Sequence, residues 1–315
     1  MFDIFSLLIG FIPLFWGANL LVDSSTRLVQ RTRVTNFFVG LTVVAFGTSS
    51  PEMTVNVMAA IKHDNFITTG NILGSNVFNI SFILATVALV STLIIKTRAV
   101  RIETISVFII AIVLLFISND KKIFNSDFNV ISRWEGAALL GMFLIFLIVL
   151  MRVVVKKDPS EQIDHSISKA REVIKLLMGL GLLIAGAQLI IYSAQNLADY
   201  LNISERIVAL VFISIGTSLP ELATAIIAIR KGNTEIIFGN LVGSTVFNGL
   251  FVLGVSALIY PIRVNAGIQQ DLMVHLIVSA LLLAFLLTPL VKKVNGGLLL
   301  LIYFSYIFYL FVGYH

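Results

Sequence analysis

The sequence predicts an all-α integral membrane fold of ten transmembrane helices, arranged as two inverted five-helix repeats. Three observations predict it. Of 315 residues, 58% are hydrophobic and 12% charged, with a mean hydropathy of +0.99, well beyond the roughly 45–50% apolar share of a soluble domain. Apolar runs, most of them long enough to cross a bilayer core of about 30 Å, fall at residues 3–26, 36–61, 66–92, 102–118, 134–153, 172–199, 206–229, 236–260, 268–290 and 296–314. Finally, GTSSPE at 47–52 returns as GTSLPE at 216–221, and GNILGSNVFN at 70–79 returns as GNLVGSTVFN at 239–248, both at an offset of 169.

Span one follows Met1 without a basic leader or a small-residue cleavage site, so it reads as a retained span and not as a signal peptide. Its copy is span six: GFIPLFWGANLLVDSS at 10–25 lies over GLGLLIAGAQLIIYSA at 179–194. That alignment sets Asn19 over Gln188 and predicts an interhelical hydrogen bond between them. Spans two and three align with seven and eight at 17 identities in 44 gap-free positions, 36–79 against 205–248. Lys62 and Lys231 end spans two and seven, where the helix dipole and snorkelling favour a cation. The GxxxG pairs Gly70/Gly74 and Gly239/Gly243 predict close helix contacts. Spans four, five, nine and ten carry no strong repeated motif.

Five spans per half is an odd number, so the second copy crosses the bilayer in the opposite sense to the first. The chain divides into a first half at 1–153, a linker at 154–171 and a second half at 172–315. Lys and Arg, counted with those at span ends, number 16 after odd-numbered spans and 6 elsewhere. The positive-inside rule then puts the linker in the cytoplasm and both termini outside.

Composition narrows the chemistry. There is no cysteine, and His63, His165, His275 and His315 form no ligand-spaced pair, so thiolate and imidazole metal sites are not expected. An enzyme is not expected either: no P-loop is present, and neither Ser49 nor Ser218 has a His or Lys within helical reach to act as base. A channel would carry uncoupled flux through the same segments.

The repeated motifs hold the chemistry that remains. Thr48 and Ser49 stand four and three residues before Glu52, on its helical face, and Thr217 and Ser218 stand likewise before Glu221. Asn71, Ser75 and Asn79 form an i, i+4, i+8 strip matched by Asn240, Ser244 and Asn248, and of these Ser75, Asn79, Ser244 and Asn248 are the candidate cation ligands. Pro51 and Pro220 free carbonyls one turn earlier, near Phe46 to Gly47 and Ile215 to Gly216, which is tolerated at mid-membrane depth only beside a polar cavity. If the halves face each other, the two carboxylates meet. They stay ionised together in a low dielectric only when cations neutralise them. Calcium takes six to eight oxygens in flexible geometry, and two or more sodium ions restore the same balance.

These motifs resemble those of the sodium/calcium exchangers of the cation/calcium antiporter superfamily, whose two alpha repeats carry G-[ST]-S-x-P-E followed by G-N-x-x-G-S-x-x-x-N/D. The resemblance covers essentially all ten spans, with strong signatures in two, three, seven and eight. It implies calcium held by Glu52 and Glu221 with oxygens of Thr48 and Thr217. Sodium would use the same glutamates with Ser49, Ser218, Ser75 and Ser244, and the carbonyls of Ala45 and Ser214. It further implies exchange of Ca2+ for Na+ by alternating access, with spans one and six sliding across the core. The expected partners are those two ions and the lipid bilayer of a plasma membrane, with no cofactor and no nucleic acid; no feature sets an oligomeric state, and a monomer accommodates all of them. One position departs from the pattern. Where many members end the second motif in aspartate, this chain has Asn248, so a third acid is absent, and coupling to protons or potassium stays open beside sodium.

Overall fold

The computed structural model describes residues 2–31, 44–91, 93–94, 98–119, 128–153, 167–200, 207–264, 266–285, 290–291 and 293–312. Residues 36–43 of the second expected span and 154–166 of the expected linker lie outside the described residues. In chain order the helices are α1 (Phe2–Arg31), α2 (Ala45–Thr48), α3 (Ser50–Ile61), α4 (Asn65–Phe78), α5 (Ala85–Val90), α6 (Arg98–Ile117), α7 (Arg133–Val153) and α8 (Lys169–Tyr200). They continue with α9 (Ser214–Thr217), α10 (Leu219–Arg230), α11 (Thr234–Val246), α12 (Leu253–Ile259), α13 (Ala266–Phe285) and α14 (Lys293–Val312). Among the described residues eight helical stretches are long and apolar enough to cross a membrane, or nine if the pair bent by 42° at Ser218 is one span.

The structure departs from an all-helical chain at two kinds of place. Among the described residues, two-residue strands β1 (Leu93–Ile94), β2 (Val130–Ile131), β3 (Ile262–Arg263) and β4 (Leu290–Val291) pair antiparallel as β1 with β4 and β2 with β3. They occupy connectors, where a short ladder satisfies backbone groups that have left a helix. Among the described residues, π-helical turns at Asn79–Leu84, Val208–Ile213 and Phe247–Val252 interrupt otherwise α-helical spans. Two of them begin at the end of the G-N-x-x-G-S motif in each half, and π turns recur at functional sites.

Proline explains the other breaks. Pro51 and Pro220 have no N–H to give to the carbonyls of Gly47 and Gly216. Ser49 (φ −84°, ψ 9°) and Ser218 (φ −87°, ψ 5°) accordingly leave helical geometry, and a new helix starts with the proline in its first turn, the position proline tolerates. In the first half Ser50 Oγ donates to Phe46 O at 3.1 Å, so of the two carbonyls the sequence marks there, that of Phe46 is occupied.

Burial orders the layers. The spanning windows Asn65–Val90 and Ile236–Ile259 are 83% and 78% buried, against 28% each for Arg133–Arg152 and Lys293–Val312. The motif-bearing helices α4 and α11 are therefore the centre of the bundle. The outer helices show Ile145, Met151, Phe304 and Phe308 to the surroundings, as lipid-facing surfaces do. This is an integral, multi-pass membrane protein. Gly74 shows why the GxxxG pair is there: a Cβ on it would stand 2.5 Å from Leu210 O, so only glycine lets α4 lie against the 208–213 turn.

Helices α1 and α8 pack along each other through backbone. A Cβ on Gly17 would stand 2.5 Å from Gly179 O, and one on Gly186 would stand 2.7 Å from Gly10 O. Adding 169 to Gly17 and subtracting it from Gly179 gives Gly186 and Gly10, so the two contacts exchange equivalent positions of the two copies. The predicted Asn19–Gln188 bond is absent. Gln188 is exposed, and Asn19 Oδ1 instead accepts from Lys231 Nζ at 2.6 Å. Lys231 also pairs with Asp23 at 2.8 Å, and Asn233 Nδ2 donates to Thr26 at 3.1 Å. A nearby cation at a helix end is a better partner for an amide oxygen than a second amide across a lipid-facing seam.

Candidate cation-binding site

All twelve residues that the sequence nominates are described, and all are buried: Ala45, Thr48, Ser49, Glu52, Ser75, Asn79, Ser214, Thr217, Ser218, Glu221, Ser244 and Asn248. The broken helices deliver them. Because α2 and α9 end at Thr48 and Thr217, with Ser49 and Ser218 as the next residues, the hydroxyls of all four reach across to the other half.

Each glutamate is gripped by the opposite repeat. Ser49 Oγ donates to Glu221 Oε1 at 2.9 Å, and Ser218 Oγ donates to Glu52 Oε1 at 3.0 Å. Thr48 Oγ1 lies 3.1 Å from Asn240 Oδ1, and Thr217 Oγ1 lies 2.9 Å from Asn71 Oδ1. These are image pairs at the offset of 169. The carbonyls join in: Ala45 O lies 3.3 Å from Thr48 Oγ1, and Ser214 O lies 3.3 Å from Thr217 Oγ1 and 3.2 Å from Ser75 Oγ.

The two half-sites are not equal. Glu221 Oε1 receives Thr48 at 2.8 Å, Ser49 at 2.9 Å and Ser244 at 3.0 Å. Glu52 Oε1 receives Ser218 at 3.0 Å with Thr217 beside the carboxylate, while Ser75 turns to Ser214 O and to Thr217 Oγ1 at 3.3 Å. The structure brings ten of the twelve nominated residues into this network. Asn79 and Asn248 stay outside it, with neither side-chain atom hydrogen-bonded. The sequence also passed over Asn56, whose Nδ2 donates to Glu52 O at 2.8 Å, and Thr224, whose Oγ1 donates to Glu221 O at 2.9 Å.

Proton counting shows what such a cluster is fit for. Around Glu221, Thr48, Ser49 and Ser244 have three hydroxyl protons for six oxygen–oxygen approaches of 2.8–3.3 Å. Oxygens that crowd together with too few protons between them suit a cation. Glu52 Oε2 and Glu221 Oε2 are buried without any partner, and among the described residues no Lys, Arg or His pairs with either carboxylate. No three His, Cys, Asp or Glu side chains converge among the described residues, so the ligands on offer are two carboxylates plus neutral oxygens, the donor set of hard cations.

A multi-pass helical bundle whose central broken helices surround two buried carboxylates with neutral oxygens is built as a membrane cation transporter. The chain belongs to the sodium/calcium exchanger protein family, whose model matches residues 2–152 and 172–312. It is a cation/calcium antiporter, from a family of transporters and not of enzymes. It is 32% identical over 289 residues to the inner membrane protein YrbG of Escherichia coli strain K12, covering 87% of this chain and 85% of that one. It is 25% identical over 344 residues to the sodium/calcium exchanger MaX1 of Methanosarcina acetivorans, covering 97% of each. Among solved structures, the sodium-calcium exchanger NCX_Mj soaked with 10 mM Na+ and zero Ca2+ superposes with a TM-score of 0.83 at 26% identity, over 97% of each chain.

Proposed function

We propose that this antiporter exchanges calcium for sodium by alternating access at the oxygen cage between Glu52 and Glu221, with the other nominated residues as its remaining ligands. The observation that carries this reading is the cross-repeat grip, Ser49 on Glu221 and Ser218 on Glu52, with more oxygen–oxygen approaches than hydroxyl protons around Glu221. Two negative charges in a dry site are balanced by one divalent ion or by two or more monovalent ones, and competition of the two for one set of oxygens is what couples their movements. The relatives MaX1 and NCX_Mj, each named as an exchanger of these ions, support the same choice.

The architecture we propose is ten spans in two inverted repeats, 1–153 and 172–315, joined by a cytoplasmic linker at 154–171, with both termini outside a plasma membrane. The image contacts at Gly10/Gly186 and Gly17/Gly179 support a twofold axis in the membrane plane. So does the strand pairing, since β1 and β3 lie 169 residues apart. Helices α1 and α8 would slide on the core. Leu180 and Ile191 of α8 sit where Cβ atoms of Gly47 and Gly216 would be, at 2.9 and 2.6 Å, so α8 lies directly on both broken helices.

Sealed liposomes containing the protein test the coupling. Labelled calcium should enter them when an outward sodium gradient is imposed and should stop when the gradient is collapsed. Uptake indifferent to sodium rejects the reading, and uptake that follows a pH jump or a potassium gradient assigns the coupling to those ions instead. Asn79→Ala should lower calcium affinity by less than about tenfold, since the lost amide makes no hydrogen bond in the network. A complete loss of binding in that variant would make Asn79 a primary ligand.

A further inference from the structure

Thr224 lies in neither repeated motif, and its counterpart in the first half is Val55. Its single hydroxyl proton goes to Glu221 O at 2.9 Å, a backbone carbonyl that can only accept. The Asn240 amide atom 3.0 Å from Thr224 Oγ1 must therefore be the donating nitrogen. That choice settles which way the amide faces: Asn240 Oδ1 points back to Thr48 Oγ1 at 3.1 Å, beside the Glu221 carboxylate. Turned over, the same side chain would aim an N–H at the cage and repel a cation.

In the other half Asn71 has no such anchor. Its Oδ1 lies 2.9 Å from Thr217 Oγ1, while its buried Nδ2 has no hydrogen-bond partner, because Val55 supplies no hydroxyl. Asn56 takes over the bond to the Glu52 carbonyl at 2.8 Å but leaves Asn71 unheld.

We propose that Thr224 is a positioning residue for cation binding: the relay from Glu221 O through Thr224 to Asn240 locks the Asn240 carbonyl oxygen toward the cage and makes the Glu221 half-site the pre-organised one. This rests on the cage reading above and adds to it a residue, a direction and an inequality between the halves. Thr224 touches no ion itself; it acts through Asn240.

Equilibrium binding of radiolabelled Ca2+ to the detergent-solubilised full chain tests it. Thr224→Val keeps the shape and removes the hydroxyl, and should weaken binding about tenfold, the worth of one buried hydrogen bond. Thr224→Ser loses the methyl group but keeps the relay and should bind within about twofold of the parent; a packing role predicts the reverse order, since valine is the better fit. In an Asn240→Ala background, Thr224→Val should change affinity by less than about twofold, because the group it orients is gone. Val55→Thr, which builds the same relay under Asn71, should tighten binding about threefold. Unchanged affinity in Thr224→Val, an undiminished effect in the Asn240→Ala background, or no gain in Val55→Thr overturns the assignment while leaving the cage intact. A parent protein that binds no calcium removes both.

Discussion

Glu52→Gln and Glu221→Gln should each cut calcium exchange in liposomes to below about one hundredth of the parent rate. Glutamine fills the same volume and keeps one oxygen, so packing survives. What disappears is half of the negative charge that a divalent ion needs in a site from which water is excluded. Hydroxyls are left behind at both positions, Thr48, Ser49 and Ser244 around residue 221 and Ser218 and Thr217 at residue 52, yet neither set can replace a carboxylate, because neutral oxygens bind a cation without balancing it. The ion-free protein should at the same time unfold at an unchanged or higher temperature. Removing one of two buried like charges relieves repulsion and desolvation that no bound ion then offsets. A variant that loses both transport and thermal stability would point to a structural carboxylate; one that transports normally would end the assignment.

The second large effect concerns movement and not binding. With alanine at both Gly17 and Gly179, exchange should fall at least tenfold while equilibrium calcium binding stays within about threefold. The added methyl on residue 17 meets Gly179 O at 2.5 Å and Leu183 N at 2.6 Å, and that on residue 179 meets Gly17 O at 2.9 Å. These are backbone atoms, which have no rotamer to turn aside, so α1 and α8 must separate, at a cost of about 1–3 kcal/mol for overpacking. Neither glycine touches the oxygen network. Ion binding in detergent and flux in liposomes measured on the same preparation distinguish the two effects, and normal flux would remove α1 and α8 from the transport cycle.

Much of this was legible because the chain says it twice. The offset of 169 singles out the positions where both copies agree, and Thr48, Ser49, Glu52 and Ser75 with their images are such positions. Their gathering in the network follows from proline, which breaks the helix at a place the sequence shows. What stayed hidden lies where the copies disagree. Thr224 faces Val55 in the alignment and Asn56 faces Ala225, so agreement between repeats passes over both. The same holds for Glu103 and His275, whose buried side chains make no hydrogen bond and whose counterparts are Leu272 and Ser106. The π turns have no residue signature of their own; they depend on how neighbouring helices crowd the backbone. Sequence similarity pairs Asn19 with its image Gln188, whereas the fold sets it beside Lys231 at the end of α10.

Crystals soaked in strontium, a heavy surrogate for calcium, give the most direct measurement. One anomalous peak is expected between Glu52 and Glu221, within coordination distance of a carboxylate oxygen from each and of oxygens at Thr48 and Thr217, and it should be lost when sodium is raised. A peak bound by one glutamate alone, or no peak between them in crystals that hold strontium elsewhere, would contradict the cage.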